Sequence, residues 1–211
     1  MPSPCIAAEH LVKTFRVAER NPGLWGAVRG VVRRRHRLVR ALDDVSFSIQ
    51  PGERFLWTLC GDARRKVVLA STFGYGFVTE LGNLHGRMKA GKAMLTVPAG
   101  AAPVAPALVD SDGDAILVCA TSDGYLLAFP LADVPELTKG KGNKLVNVPP
   151  KRLKAGEEYM VGLAVMAPKQ EILIWAGQRY LRMGMKDIEH FRGDRALELT
   201  RAFTEPELDV V

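Results

Sequence analysis

Ile116–Phe129, ILVCATSDGYLLAF, reads as a strand, a tight turn and a second strand. The apolar run Ile116–Ala120 is followed by Ser122-Asp123-Gly124 and then by Tyr125–Phe129. Short runs rich in Val, Ile, Leu and aromatics, bounded by turn residues, are strand signals. A glycine at the turn tolerates the positive φ that a hairpin demands. The same grammar recurs on both sides. Val67–Ala70 and Gly76–Val78 flank Thr72-Phe73-Gly74, and Ile172–Trp175 and Tyr180–Met183 flank Ala176-Gly177-Gln178. Ala93–Val97, Leu145–Val148 and Tyr159–Val165 are further strand candidates, and only Met185–His190 and the C-terminal tail read as helical.

The hairpins fall at a near-constant period. Gly74, Gly124 and Gly177 are 50 and 53 positions apart, and three glycine-basic loops centred on Gly91, Gly142 and Gly193 are each 51 apart. A repeat of about 50 residues holding about four short strands has the arithmetic of a propeller blade. One blade cannot cover both of its own faces, so neighbours must. The expectation is a mainly β chain, with a partial pinwheel or propeller-like array of about three four-stranded blades.

Composition bounds the rest. The chain has 211 residues, 47% hydrophobic and 25% charged, enough to bury a core. Cys5, Cys60 and Cys119 lie far apart, with neither metal-ligand spacing nor a disulfide framework. No apolar run reaches the roughly 18 residues of a spanning helix, and no signal-peptide pattern opens the chain. The expectation is a cytoplasmic protein without membrane insertion. The net charge of +6 is uneven: +5 over residues 1–54, +5 over 64–154 and −3 over 155–211. Basic stretches favour polyanions.

Four segments, in order, carry a family resemblance. They are Leu69–Val78 (LASTFGYGFV), Arg87–Leu95 (RMKAGKAML), Gly124–Leu131 with Glu136–Lys144 (ELTKGKGNK), and Asp187–Arg195 (DIEHFRGDR). Together they resemble the C-terminal β-pinwheel of the topoisomerase IV A subunit, from the type IIA topoisomerases; the gyrase A subunit has the same fold and a related loop. The resemblance implies a non-catalytic domain whose basic rim holds and bends duplex DNA, with topoisomerase subunits as partners in a larger assembly, no cofactor and no catalytic residue. It places rim contacts on Arg87, Lys89, Lys92, Lys139, Lys141, Lys144, Arg192 and Arg195. Wrapping of this kind needs phosphate contacts and bending, not base readout. Where the family runs toward an LPRGF-like end, this chain has Leu199-Thr200-Arg201-Ala202-Phe203, without the glycine.

The first fifty residues resemble something else. Ile6–Val17 with Arg40–Glu53 (RALDDVSFSIQPGE) is similar to the opening of an ABC transporter ATP-binding subunit, where Phe15 would stack on adenine. That phrase leads there into a phosphate loop; here Arg54-Phe55-Leu56-Trp57 follows, and no Walker B aspartate or ABC signature comes after. The expected organisation is an ABC-like β segment over 1–54, pinwheel blades over 55–203 and an acidic tail over 204–211. The chain thus reads as a hybrid with its joint between Gln50 and Phe55, as a gene fusion or a sequence artefact would produce. The alternative to DNA binding is an inactive, truncated ABC subunit or a non-functional hybrid.

Other motifs carry less. Gly86–Ala93 nearly fits a phosphate loop, but Ala93 lacks the hydroxyl that ligates magnesium. Asp110, Asp112 and Asp114 surround Gly113, yet apolar Ile116–Val118 follows where calcium ligands would be needed. The four histidines are scattered. Trp25–Arg40, which includes Arg33, Arg34, Arg35, Arg37 and Arg40, reads as a short helix or exposed loop.

Overall fold

The computed structural model describes residues 6–18, 36–49, 51–86, 91–110, 113–176, 178–193, 200–201 and 208–210. Contacts divide the chain into two units, Met1–Leu56 and Trp57–Val211.

In the first unit, β1 (Ile6–Ala18) pairs antiparallel with β2 (His36–Ile49), from Ile6 opposite Ile49 to Ala18 opposite His36. The register slips between Ala8 and Thr14. His10 and Asp44 adopt positive φ there, and their side chains meet at 2.5 Å. Residues 36–40, expected in a helix or loop, are strand because they complete the pairing opposite Thr14–Ala18. Phe15 is half-exposed, with the Lys13 ammonium 5.4 Å from its ring centre. A two-stranded ribbon cannot bury its own faces, and Ile6, Leu11, Val12, Val17 and Leu38 are exposed on it.

The second unit is built from hairpins. The first joins β3 (Lys66–Ala70) to β4 (Tyr75–Glu80), followed by the one-turn α1 (Leu81–Leu84) and by β5 (Ala107–Leu108), which returns to pair with β3. The second joins β6 (Ile116–Thr121) to β7 (Tyr125–Pro130). Its continuation gives β8 (Asn143–Lys144), α2 (Pro150–Ala155) and β9 (Met160–Met166), and β9 returns to β6. The third joins β10 (Ile172–Ala176) to β11 (Arg179–Met183), followed by α3 (Met185–Ile188), β12 (Thr200–Arg201) and β13 (Leu208–Val210). The hairpin turns contain Gly74 at φ 75° and Gly124 at φ 83°. Gly177 lies outside the described residues.

The sheet orders are β5-β3-β4-β8, β12-β7-β6-β9 and β11-β10-β13. Each hairpin therefore gains a return strand on one side, and the first two gain on the other side a short strand donated by the next blade. β8 crosses from the second blade to β4, and β12 crosses from the third to β7. The third blade has three strands among the described residues, not the four expected.

The central blade explains why its sequence reads as an unbroken apolar run. Side chains alternate between the two faces of a strand. Leu117, Cys119, Leu127 and Phe129 face one core with Val68 and Val78 of the first blade and with Leu145 and Val146, just beyond the donated β8. Ile116, Val118, Ala120, Leu126 and Ala128 face a second core with Ile172, Ile174, Met183 and Phe191 of the third. Both faces are covered, so every residue of β6 is buried.

Several sequence expectations are corrected. Ala93–Val97 forms only an isolated bridge at Leu95, and the strand near Leu145–Val148 is instead Asn143–Lys144. Leu145, Val146 and Val148 are core residues just beyond it, which is why the segment looked like a strand. The tail is not helical where described, and Leu208–Val210 pairs with β10. The unforeseen α2 begins on Pro150 and ends at Gly156, which takes the left-handed φ of 71° that closes many helices.

Candidate nucleic-acid interface

The candidate site is the connection that carries β8 onto the first blade. Gly142 comes so close to β4 that a Cβ there would lie 2.1 Å from the Gly76 carbonyl oxygen. Its φ is 77°, a conformation other residues adopt only with strain. Gly74 is crowded in turn, since a Cβ on it would lie 2.5 Å from the Val146 oxygen. The Gly74 carbonyl accepts from the Leu145 N–H at 2.7 Å. The glycines of GYGF and KGKGNK are thus two halves of one backbone contact, which fixes the lysines around them.

In that frame Tyr75 stands opposite Lys144, and Gly76 opposite Asn143. The Lys141 ammonium lies 3.7 Å from the centre of the Tyr75 ring, and that of Lys144 5.6 Å from it. Exposed cation–π contacts are worth about 0.5–1 kcal/mol each. Lys139 and Lys141 are exposed and Lys144 is half-buried. Lys92 is exposed and donates to the Asn83 carbonyl at 2.5 Å. Leu95 and Gly140 form a parallel bridge; the Thr96 N–H donates to Gly140 at 2.8 Å and the Gly140 N–H to Met94 at 2.9 Å. The loops after Gly91 and before Gly142 therefore run side by side. Gly91 has φ 76°, matching Gly142.

Arg87, Lys89 and Arg195 lie outside the described residues. Arg192 is exposed and paired with Glu189 at 3.2 Å. The structure also corrects the spacing that singled it out. Arg192 bridges in parallel to Ala128 of β7, as Glu136 does to Val78 of β4. The Gly193 N–H donates to Ala128, as the Leu137 N–H does to Val78. Gly193 therefore occupies the place of Leu137, not of Gly142. The third-blade counterpart of Asn143-Lys144 is Thr200-Arg201, with Arg201 opposite Tyr125 as Lys144 is opposite Tyr75. Sequence reasoning missed Tyr75, Tyr125 and Arg201 as members of the site. The signal was present, because Tyr75 and Tyr125 follow the turn glycines at the same 50-residue period.

A polar clamp holds α2 against the second hairpin turn. Glu158, 2% exposed, accepts from Thr121 Oγ1 at 3.1 Å and from Arg152 at 2.7 Å, and Arg152 also bonds Asp123 at 3.2 Å. The hydrogen bond to Asp123 raises the Arg152 pKa; partial burial opposes it, and the charges of Glu158, Asp123 and Glu157 add to the rise. No group of three or more His, Cys, Asp or Glu that could hold a metal occurs among the described residues. No helix there is long and apolar enough to cross a membrane.

Comparison with known proteins agrees with this architecture. Residues 115–165 match the model of the DNA gyrase C-terminal domain, a β-propeller. The E. coli ParC C-terminal domain superposes with a TM-score of 0.68 at 32% identity, over 76% of this chain and 65% of that one. The second unit is a gyrase A-type C-terminal β-pinwheel. Among curated relatives of the pinwheel, the A subunit of DNA topoisomerase 4 from Pseudomonas aeruginosa is 41% identical over 69% of this chain. Its counterpart from Escherichia coli K12 is 33% identical over 70%. The chain spans about a fifth of the length of these relatives, 19% and 20% respectively. They lend no support to the ABC-type resemblance of the first fifty residues.

Proposed function

We propose that the pinwheel binds duplex DNA through its phosphates along the edge carrying Lys92, Lys139, Lys141 and Lys144, and bends it there. It does so as a non-catalytic part of a type IIA topoisomerase that works in the cytoplasm with its partner subunits. The observation that carries this reading is the Leu95–Gly140 bridge, which sets two lysine-bearing glycine loops side by side. Among the described residues none of these four lysines is paired with a carboxylate, whereas Arg65, Lys66, Arg152, Arg182 and Arg192 all are. Unneutralised cations on backbone held close by glycine suit phosphate contacts without base readout. Arg87 and Lys89 would extend the same edge, and Arg195 the third blade's part of it. Phe15 has no part in this reading.

The test is a salt titration of binding to two duplexes of unrelated sequence. Lys141→Ala and Lys144→Ala should each weaken both duplexes equally. Each should lower the slope of log affinity against log salt by about 0.9. A wild-type chain that retains neither duplex at low salt overturns the reading.

A further inference from the structure

We infer that Tyr75 is a positioning residue for phosphate binding: its ring holds Lys141 and Lys144 as a preformed pair of cations. This rests on the DNA-binding reading and adds to it a residue type with no charge of its own.

The geometry points to such a role because the ring is not needed to seat the strand beneath it. β8 is already fixed by the Gly142–Gly76 approach, by the bond from Leu145 to Gly74, and by the buried side chains of Leu145 and Val146. What those contacts leave undetermined is where two long, flexible side chains go. Tyr75 faces Lys144 across the ladder, and Lys141, three residues earlier, reaches over the same ring at 3.7 Å. A lysine that meets a phosphate from a free loop gives up rotamer freedom on binding. One already confined gives up less, and its affinity rises accordingly. A cation on the face of a ring keeps its charge and still presents N–H groups away from the ring.

Repetition makes the arrangement more than a local accident. Tyr75 and Tyr125 open the second strand of successive hairpins. Each lies opposite the basic residue of the strand donated by the next blade, Lys144 in one case and Arg201 in the other. The next ladder position does not repeat, since Gly76 is matched by Leu126. A tyrosine placed opposite a basic residue is what the two ladders share at this edge.

The 211-residue chain should be titrated with duplex DNA against salt as wild type, Tyr75→Phe, Tyr75→Leu and Tyr75→Met, each alone and with Lys141→Ala. Tyr75→Phe keeps the ring and should bind like wild type. Tyr75→Leu and Tyr75→Met should bind several-fold more weakly. In both of those backgrounds Lys141→Ala should cost less than half of its effect in wild type, because the lysine is no longer held. Protection of the buried Cys119 thiol reports that each variant is folded, and if one of the two aliphatic variants fails this check the other carries the comparison. Wild-type affinity in a folded Tyr75→Leu or Tyr75→Met variant overturns the inference. So does a Lys141→Ala effect that is fully additive with theirs, and either result leaves the DNA-binding reading standing. A wild-type chain with no salt-dependent binding removes both.

Discussion

At the scale of single residues, the informative ones are those whose environment contradicts their chemistry. Gly142 was legible as a loop glycine. That it faces Gly76 was not, because the partner lies 66 positions away and the period of the repeat pointed instead to Gly193. Spacing alone could not separate Gly193, which sits where the chain first crosses to its neighbour, from the residues that form the donated strand. Cys119 was read only as a thiol outside any metal pattern. It is buried in the core shared by the first two blades, and burial pushes its pKa from 9.0 up to about 12. Below pH about 9 the thiol is protonated in both folded and unfolded chains and contributes no pH dependence. Above that, the unfolded chain ionises while the folded one does not until about 12, so stability falls by about 1.4 kcal/mol per pH unit from this group. Denaturant titrations between pH 9 and 11 should show a shallower alkaline loss in Cys119→Ala than in wild type, by one proton's worth. Parallel slopes would mean that the thiol is reached by solvent.

At the scale of elements, hairpins were legible and donated strands were not. β3–β4, β6–β7 and β10–β11 each announce themselves by an apolar run, a turn and another apolar run within about fifteen residues. β8 and β12 are two residues long, polar, and defined wholly by a partner blade. Local pattern carries no such information. The helix α2 was missed for a related reason: PKRLKA has one large apolar residue, Leu153, and no fully buried residue. Leu153 packs, partly buried, against the core of the first two blades, and the clamp of Arg152 with Glu158, Asp123 and Thr121 adds a polar hold. Because Glu158 is 2% exposed, removing its carboxylate leaves Thr121 Oγ1 without its partner and the Arg152 guanidinium with Asp123 and the more distant Glu157. Glu158→Ala should lower the melting temperature by about 5–10 °C, and Glu158→Gln, which can still accept from Thr121, by less. Scanning calorimetry of the two variants distinguishes a clamp from a passive surface pair, for which both shifts would stay within about 2 °C.

For the molecule as a whole, the repeat predicts how the second unit comes apart. An array of independent blades would unfold piecemeal, each with its own midpoint. Here the central blade belongs to two cores at once, because alternate residues of β6 and β7 serve the first and third blades. Strand donation adds a backbone tie in each direction, β8 onto β4 and β12 onto β7. A defect on one face of the central blade should therefore be felt at the far blade. Phe129 is fully buried and faces the first blade, so Phe129→Ala should cost about 3–5 kcal/mol through lost burial and a residual cavity. Trp175 sits in β10 of the third blade, in tilted contact with Tyr180 at 5.1 Å between ring centres, and reports on that blade. In a background carrying Trp25→Phe and Trp57→Phe, the urea midpoint read from Trp175 fluorescence should fall with Phe129→Ala as far as the midpoint read from far-UV circular dichroism. Coincident shifts with an unchanged denaturant slope mean one cooperative unit in which both cores are lost together. A Trp175 midpoint that stays at the wild-type value while the circular dichroism midpoint drops would show that the third blade holds on its own, and that donation of β12 transmits little between neighbours.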